Sequence, residues 1–134
     1  MPQHTGSCLC GGVTYVVQGD LPLIQVCHCK QCRKANGSAF ACAIPIDSAN
    51  FTLQSGGDLI KSYESTPGKL RKFCGRCGSP IYSQRTAMPD KLRLRAGVLD
   101  GDIQTRPGFH FYVDSKADWD TINDDLPQYP EQAP

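Results

Sequence analysis

The chain has 134 residues, 40% of them hydrophobic and 20% charged, which predicts one globular domain spanning residues 1–134. Fourteen lysine and arginine residues oppose thirteen aspartate and glutamate residues, and a net charge of +1 argues against a nucleic-acid-binding protein. The longest apolar stretch, residues 38–46, is far shorter than the roughly 20 residues that span a membrane. The N-terminus has neither a basic flank nor an apolar segment, so we expect no signal peptide and a cytoplasmic location.

Short strands dominate the predicted secondary structure, because β-branched and aromatic runs alternate with glycine and proline. Residues 12–17 and 23–27 are predicted to form two strands paired as a hairpin. A short helix is expected over residues 29–36, where Gly37 is placed to end it. The apolar run 39–46 predicts a buried strand. The remaining predicted strands cover residues 51–54, 59–63, 69–73, 81–84, 91–98 and 109–113.

Two later segments carry more specific expectations. Charged and apolar residues alternate over residues 91–98, which is the pattern of a half-exposed strand. The tail after Asp118 is acidic and then proline-rich, so it is expected to lie on the surface or to fray. Together these patterns predict a mainly β domain with little helix.

Eight cysteines are the unusual feature of the composition. Seven of them lie in tight groups, with two or fewer residues between neighbours, and Cys42 stands alone. The groups are C-x-C at Cys8 and Cys10, C-x-C-x-x-C at Cys27, Cys29 and Cys32, and C-x-x-C at Cys74 and Cys77.

Three interpretations compete for these cysteines. Disulfides usually join distant segments, because closing a long loop constrains the unfolded chain more, and they belong to exported proteins. A redox C-x-x-C opens a helix inside a βαβ unit, and the sequence shows no such alternation. Closely spaced cysteines are instead typical of zinc sites, where one turn supplies two ligands. We therefore favour zinc.

The number of clustered cysteines predicts two different zinc sites. Structural zinc sites use four protein ligands, whereas catalytic sites leave one position open. Seven cysteines divide into one set of each kind. The three-ligand set is Cys27, Cys29 and Cys32, which are contiguous at a strand-to-helix junction. The four-ligand set is then Cys8, Cys10, Cys74 and Cys77, which ties the N-terminal strands to the middle of the chain.

Three segments resemble the glutathione-dependent formaldehyde-activating family (GFA, also called CENP-V/GFA). They are GSCLCGGVTY at 6–15, CHCKQCRKANGSAF at 27–40 and FCGRCGSPIY at 73–82. They occur in the family's order, and the resemblance covers about residues 6–114, leaving a tail at about 119–134. It implies a β-tent fold of short antiparallel sheets with one short helical turn, held together by two zinc ions with the ligand sets given above.

The resemblance also implies an activity. The family's founding reaction condenses glutathione with formaldehyde to S-(hydroxymethyl)glutathione, and it is classed with the carbon–sulfur lyases. A thiol is only partly ionised at neutral pH, and an open zinc position would deprotonate it. Lys30, Arg33 and Lys34 are candidate glutathione contacts, unless they merely cover an exposed helical turn. Two alternatives remain open: a non-catalytic zinc module that binds a protein partner, and an enzyme of this fold that uses another thiol.

Three further residues have less specific roles. His28 lies between two predicted ligands, but neighbouring side chains in an extended C-x-C point apart, so we expect packing or support of the ligands rather than ligation. His110 is expected to be a partly buried strand residue. Cys42 is expected to be a small buried hydrophobic residue, with a spare thiol near the open zinc as the alternative.

Overall fold

The computed structural model describes residues 2–133, which contain ten strands and one α-helix. The strands are β1 (Gln3–Ser7), β2 (Thr14–Gln18), β3 (Ile24–Cys27), β4 (Ala41–Asp47), β5 (Phe51–Ser55), β6 (Ile60–Thr66), β7 (Lys69–Cys74), β8 (Pro80–Arg85), β9 (Lys91–Arg95) and β10 (Pro107–Phe111). The helix α1 covers Lys30–Asn36. The mainly β prediction is therefore confirmed. Within this part of the chain, no helix is long and apolar enough to cross a membrane.

The strands form two sheets. The smaller sheet has the order β1-β2-β5, and the larger has the order β10-β3-β4-β9-β8-β7-β6. Neighbouring strands are antiparallel except β10 and β3, which run parallel. Because β3 and β4 flank α1 but are antiparallel, the C-x-x-C at the start of α1 does not lie in a βαβ unit.

The predicted hairpin of residues 12–17 with 23–27 is wrong. Strand β2 pairs with β1 and β5, whereas β3 pairs with β4 and β10. The intervening loop carries the chain from one sheet to the other, so the two strands belong to different layers. Tyr15 and Val17 of β2 pack in the same core as Ile44 of the larger sheet. The two sheets are therefore held together by side chains that pack in this shared core, and not by strand pairing between them.

The hydrophobic core lies between the two sheets, so one face of the larger sheet packs against it and the other face points away from it. Leu92 and Leu94 of β9 are buried in it, and each contributes about 1.5–3 kcal/mol. Because side chains alternate along a strand, Arg93 and Arg95 point to the opposite face. On that face Lys91 is exposed, Arg93 is half-buried and Arg95 is only 6% exposed. The expected alternation of a half-exposed strand therefore holds over residues 91–94 and ends at Arg95, and residues 96–98 form a 3₁₀ turn.

The helix α1 begins and ends as its sequence predicts. The Cys29 thiolate or thiol sulfur accepts a hydrogen bond from the backbone N–H of Cys32 at 3.3 Å, which caps the N-terminus. Gly37 ends the helix in the left-handed region at φ 63°, and its N–H donates to the Arg33 carbonyl. The helix therefore places two cysteines at its first turn.

The C-terminal tail lies on the surface but does not fray. The His110 N–H donates to the Pro127 carbonyl at 2.9 Å, and the Tyr129 N–H donates to the His110 carbonyl at 2.9 Å. The Tyr112 N–H donates to the Glu131 carbonyl at 2.8 Å. The tail is thus held alongside β10 by backbone hydrogen bonds, which composition alone does not predict.

Candidate metal centres

The four cysteines of the first candidate site come together from two turns. Cys8 and Cys10 lie in the loop after β1, where the Val13 N–H donates to the Cys8 sulfur at 3.2 Å. Cys74 ends β7, and the turn that follows it brings back Cys77. Gly78 adopts φ 83° in that turn, a conformation that disfavours a side chain. The four sulfur atoms all lie within 4.8 Å of one another.

Hydrogen bonds favour ionised sulfur at two cysteines of this cluster, Cys10 and Cys77. A hydrogen bond from the Gly12 backbone and one from the Arg76 guanidinium hold the pKa of Cys10 below its usual value. The Arg76 Nε lies 3.3 Å from the Cys10 sulfur. A hydrogen bond from the Ser79 hydroxyl lowers the pKa of Cys77 to about 5. Thiolates are the form that binds metal ions.

The second candidate site is built at the junction of β3 and α1. Cys27 ends the strand, Cys29 caps the helix, and Cys32 lies in the first helical turn. Their three sulfur atoms also lie within 4.8 Å of one another. The backbone of His28 separates Cys27 from Cys29, so the chain contributes all three donors within six residues.

The donor sets fit zinc. In a tetrahedral site with Zn–S distances of about 2.3 Å, the sulfur atoms lie roughly 3.8 Å apart. The Cys8 and Cys10 sulfurs are 3.5 Å apart, and the Cys10 and Cys74 sulfurs are 3.9 Å apart. All eight cysteines are free thiols, so no disulfide competes for these sulfurs among residues 2–133. Two cysteine clusters could therefore bind metal ions.

A cavity of about 390 Å³ opens beside the three-cysteine cluster, and Cys27, Cys29 and Cys32 all line it. Ala41 and Ala43 of β4 also line it, and their small side chains leave room above the sheet. Phe111 and Tyr112, which follow each other at the end of β10, form an aromatic part of the wall. The three thiols thus share one open side.

The cavity is strongly basic, and sequence reasoning missed this. The cations that line it are Lys30, Lys69, Arg85, Arg93 and Arg95. Strand register explains how distant residues meet, because Arg71 lies opposite Ser83 and Ser83 lies opposite Arg93. The Arg95 guanidinium also donates to the Ser83 hydroxyl at 3.3 Å. Arg71, only 8% exposed, places its Nη2 3.9 Å from the Cys32 sulfur.

These cations change the ionisation of the cluster. Hydrogen bonds from Cys27 and Cys29, and then the charges of Arg71 and Arg95, hold the pKa of Cys32 well below its usual value. Burial lowers the pKa of Arg95 to about 10. The arrangement therefore favours negative charge on the sulfur that faces the arginines.

The three predicted glutathione contacts, Lys30, Arg33 and Lys34, line one shallow depression that includes Trp119. Of the three, Lys30 also lines the cavity beside the cysteines, whereas Arg33 and Lys34 do not. The cationic residues of the sheet that line the cavity could have been predicted from β7 and β9. In these strands lysine and arginine recur at every second position, and alternate side chains in a strand face the same side.

The two histidines pair away from the metal-binding cluster. His28 is 0% exposed, and its Nε2 lies 2.8 Å from the His110 Nδ1. Burial, followed by the nearby charge of His110, lowers the pKa of His28. His110 in turn lies 2.9 Å from an Asp124 carboxylate oxygen. His28 therefore supports the loop between two cysteines without joining their cluster.

Cys42 faces the core. It packs against the core cluster that contains Ile44, whereas Ala41 and Ala43 on either side of it line the cavity. Burial raises the pKa of its thiol. The structure thus shows a partly buried residue packed against the core, and Cys42 is not part of the three-cysteine cluster.

A family model described as glutathione-dependent formaldehyde-activating enzyme (GFA) matches residues 3–115. The chain belongs to the GFA family. The match contains all seven clustered cysteines and every strand of both sheets, and the C-terminal tail lies beyond it.

One solved structure similar to this GFA chain is a crystal structure of a Rhodobacter sphaeroides protein, determined as a structural genomics target. It is 20% identical, with a TM-score of 0.59, and the match covers 76% of this chain and 97% of that one. At this identity the likeness shows the fold alone. No curated protein matches the chain significantly.

Proposed function

We propose that this GFA chain is a zinc-dependent enzyme that activates a thiol, glutathione or a similar one, for addition to formaldehyde or a related small electrophile. Such an activity is classed with the carbon–sulfur lyases. The observation that carries the proposal is the shared opening of Cys27, Cys29 and Cys32 onto one cavity. A purely structural zinc site has no need of an open side. We place the activity in the cytoplasm, where thiols stay reduced.

The two clusters are assigned different roles in this proposal. Cys8, Cys10, Cys74 and Cys77 would hold a structural zinc, and Cys27, Cys29 and Cys32 would hold a second zinc. When bound by three cysteines, zinc supplies an open position at which a substrate thiol becomes ionised. The charges of Arg71 and Arg95 favour negative charge on the Cys32 sulfur.

The cavity residues provide the space and the surroundings for the reaction. Ala41 and Ala43 leave room for a small carbonyl compound, and Phe111 and Tyr112 form an aromatic part of the wall. The thiol loses its proton to solvent, and a sulfur lone pair forms the C–S bond. The C=O π electrons move to oxygen, which takes a proton from water. The reaction changes no oxidation state, so it needs no redox partner.

We expect two zinc ions per chain that differ in their resistance to a chelator. Four protein ligands retain the structural ion, whereas three retain the second ion, which should leave first. Metal content measured during titration with a chelator, in reduced protein, tests this order. One ion per chain, or the simultaneous loss of both ions, would contradict the assignment.

Cobalt in place of zinc tests the proposed thiol site directly. We expect glutathione at millimolar concentration or below to strengthen the sulfur-to-cobalt charge-transfer absorption, because three sulfur ligands become four. Formation of the hydroxymethyl adduct, followed by NMR with formaldehyde present, should show the same thiol dependence. Cys42→Ala is the matched control, because Cys42 faces the core and the variant should retain the response.

The alternative function is a zinc module that binds a protein partner. If neither glutathione nor a simple thiol perturbs the cobalt spectrum, thiol activation is ruled out and this alternative replaces it. A response to both thiols with equal affinity would retain the chemistry but remove glutathione as the substrate.

A further inference from the structure

The cavity beside the three-cysteine cluster holds like charges that face each other. Lys69 of β7 lies directly opposite Arg85 of β8, and both side chains line the cavity. Like charges directly opposite on neighbouring strands destabilise a sheet. Among residues 2–133, neither cation forms an ion pair with a carboxylate. The protein keeps an unfavourable pair at the position where a ligand would bind.

Arginines near this pair add positive charge that no carboxylate among the described residues neutralises. Arg71 and Arg95 are buried, and the Arg71 Nη1 has no hydrogen-bond partner. Arg93 stacks over Phe111 at 5.6 Å and donates to the Gln25 side-chain oxygen, so it too lacks a carboxylate. Buried cations are stable when an anion pairs with them. Three thiolates with one zinc ion carry a charge of −1, which the five cations lining the cavity outnumber.

Acidic side chains are missing from the same wall. Of the described residues that line the cavity, none is aspartate or glutamate. A carboxylate on a ligand would therefore meet several donors, whereas an ammonium group would meet an excess of cations and no carboxylate. Arginine binds carboxylates and phosphates with two parallel hydrogen bonds, and of these two anions the carboxylate is the one that a thiol of the glutathione type carries.

We propose that the thiol bound at this site carries two or more carboxylates and no ammonium group. This inference rests on the proposed thiol activation and narrows its substrate class. Glutathione has the required carboxylates, but its γ-glutamyl ammonium is unfavourable in this cavity. A thiol polycarboxylate without an amine fits the charges better.

Binding of three related thiols tests the inference. The ligands are glutathione, its desamino analogue, and the desamino analogue with both carboxylates converted to amides. Titration calorimetry on zinc-loaded protein should show about fivefold tighter binding when the amine is removed. Conversion to the amides should weaken binding by about tenfold or more, because charge-assisted hydrogen bonds are lost.

A sulfur-free anion separates the basic cavity from the metal chemistry. Propane-1,2,3-tricarboxylate should raise the Tm of the zinc-loaded protein, because a ligand that binds the folded state stabilises it. The double variant Lys69→Gln/Arg85→Gln should lose this rise. Lys72→Gln is the matched control, because it removes a charge from the same strand outside the cavity lining. Its Tm rise should equal that of the unchanged protein.

The outcomes distinguish this inference from the proposed function. If glutathione binds as tightly as its desamino analogue, or the tricarboxylate does not raise Tm, the polycarboxylate inference is overturned. The thiol-activation proposal would still stand if thiols changed the cobalt spectrum. If the tricarboxylate binds but no thiol changes that spectrum, the proposed function fails and the substrate class fails with it.

Discussion

Replacing Cys74 with alanine should prevent the domain from folding stably. Cys74 is 0% exposed and belongs both to the core and to the four-cysteine cluster. Structural zinc contributes about 10–16 kcal/mol of apparent binding free energy in small zinc domains. Losing much of that is comparable to the roughly 5–15 kcal/mol by which a typical domain is stable. Far-UV circular dichroism, gel filtration and metal content measure the outcome.

The matched variant in the other cluster should behave differently. Cys29→Ala removes one ligand of the three-cysteine set and the cap of α1. The lost cap costs about 1 kcal/mol, which a domain of this size tolerates. We expect a folded protein that retains one zinc ion. If Cys29→Ala unfolds the chain while Cys74→Ala does not, the structural and open roles are reversed.

The cysteine clusters could be predicted because their chemistry is local. Ligands that share a turn are visible as short spacings, and counting them divides seven cysteines into a set of four and a set of three. The helix between Cys29 and Gly37 was equally local, since its caps are single residues. Cys8 and Cys74 are distant in sequence, and their pairing could be predicted because a structural zinc site takes four protein ligands.

The basic cavity could not be predicted, because its parts are contributed by distant strands. Alternation in β9 separates Leu94 from Arg95 but does not say what covers the arginine. Ala43 lies opposite Arg95 on the neighbouring strand β4. That this small side chain leaves space beside Arg95 can be recognised only when the β4–β9 register is known. The wrong pairing of β2 with β3 has the same origin, since proximity in sequence does not determine which layer a strand joins.

The tail also depends on contacts that a local pattern does not contain. Its main attachments are backbone hydrogen bonds to β10, which any sequence of suitable length can make. One side-chain contact is specific, between His110 and Asp124. This contact continues inward to His28, so the tail, β10 and the loop between Cys27 and Cys29 are linked through three side chains.

The hydrogen bonds among Asp124, His110 and His28 determine which ring nitrogens carry a proton. The Asp124 carboxylate only accepts, so the His110 Nε2 must carry a proton and donate it. In neutral His110 the Nδ1 is then an acceptor, and the His28 Nε2 must donate to it. Removal of the His110 ring leaves the His28 donor without a partner in a fully buried position.

His110→Ala should therefore destabilise the domain much more than Asp124→Asn. The first variant leaves a buried donor unsatisfied and removes a buried ring, for a combined cost of about 2–4 kcal/mol. The second keeps an oxygen to accept from His110 and removes only the charge of the partly exposed Asp124, for about 1 kcal/mol or less. Urea unfolding of the zinc-loaded proteins compares the two, and hydrogen exchange at the Tyr129 N–H reports release of the tail. Equal losses in the two variants would mean that the exposed contact with Asp124, and not the buried pair of histidines, stabilises this part of the fold.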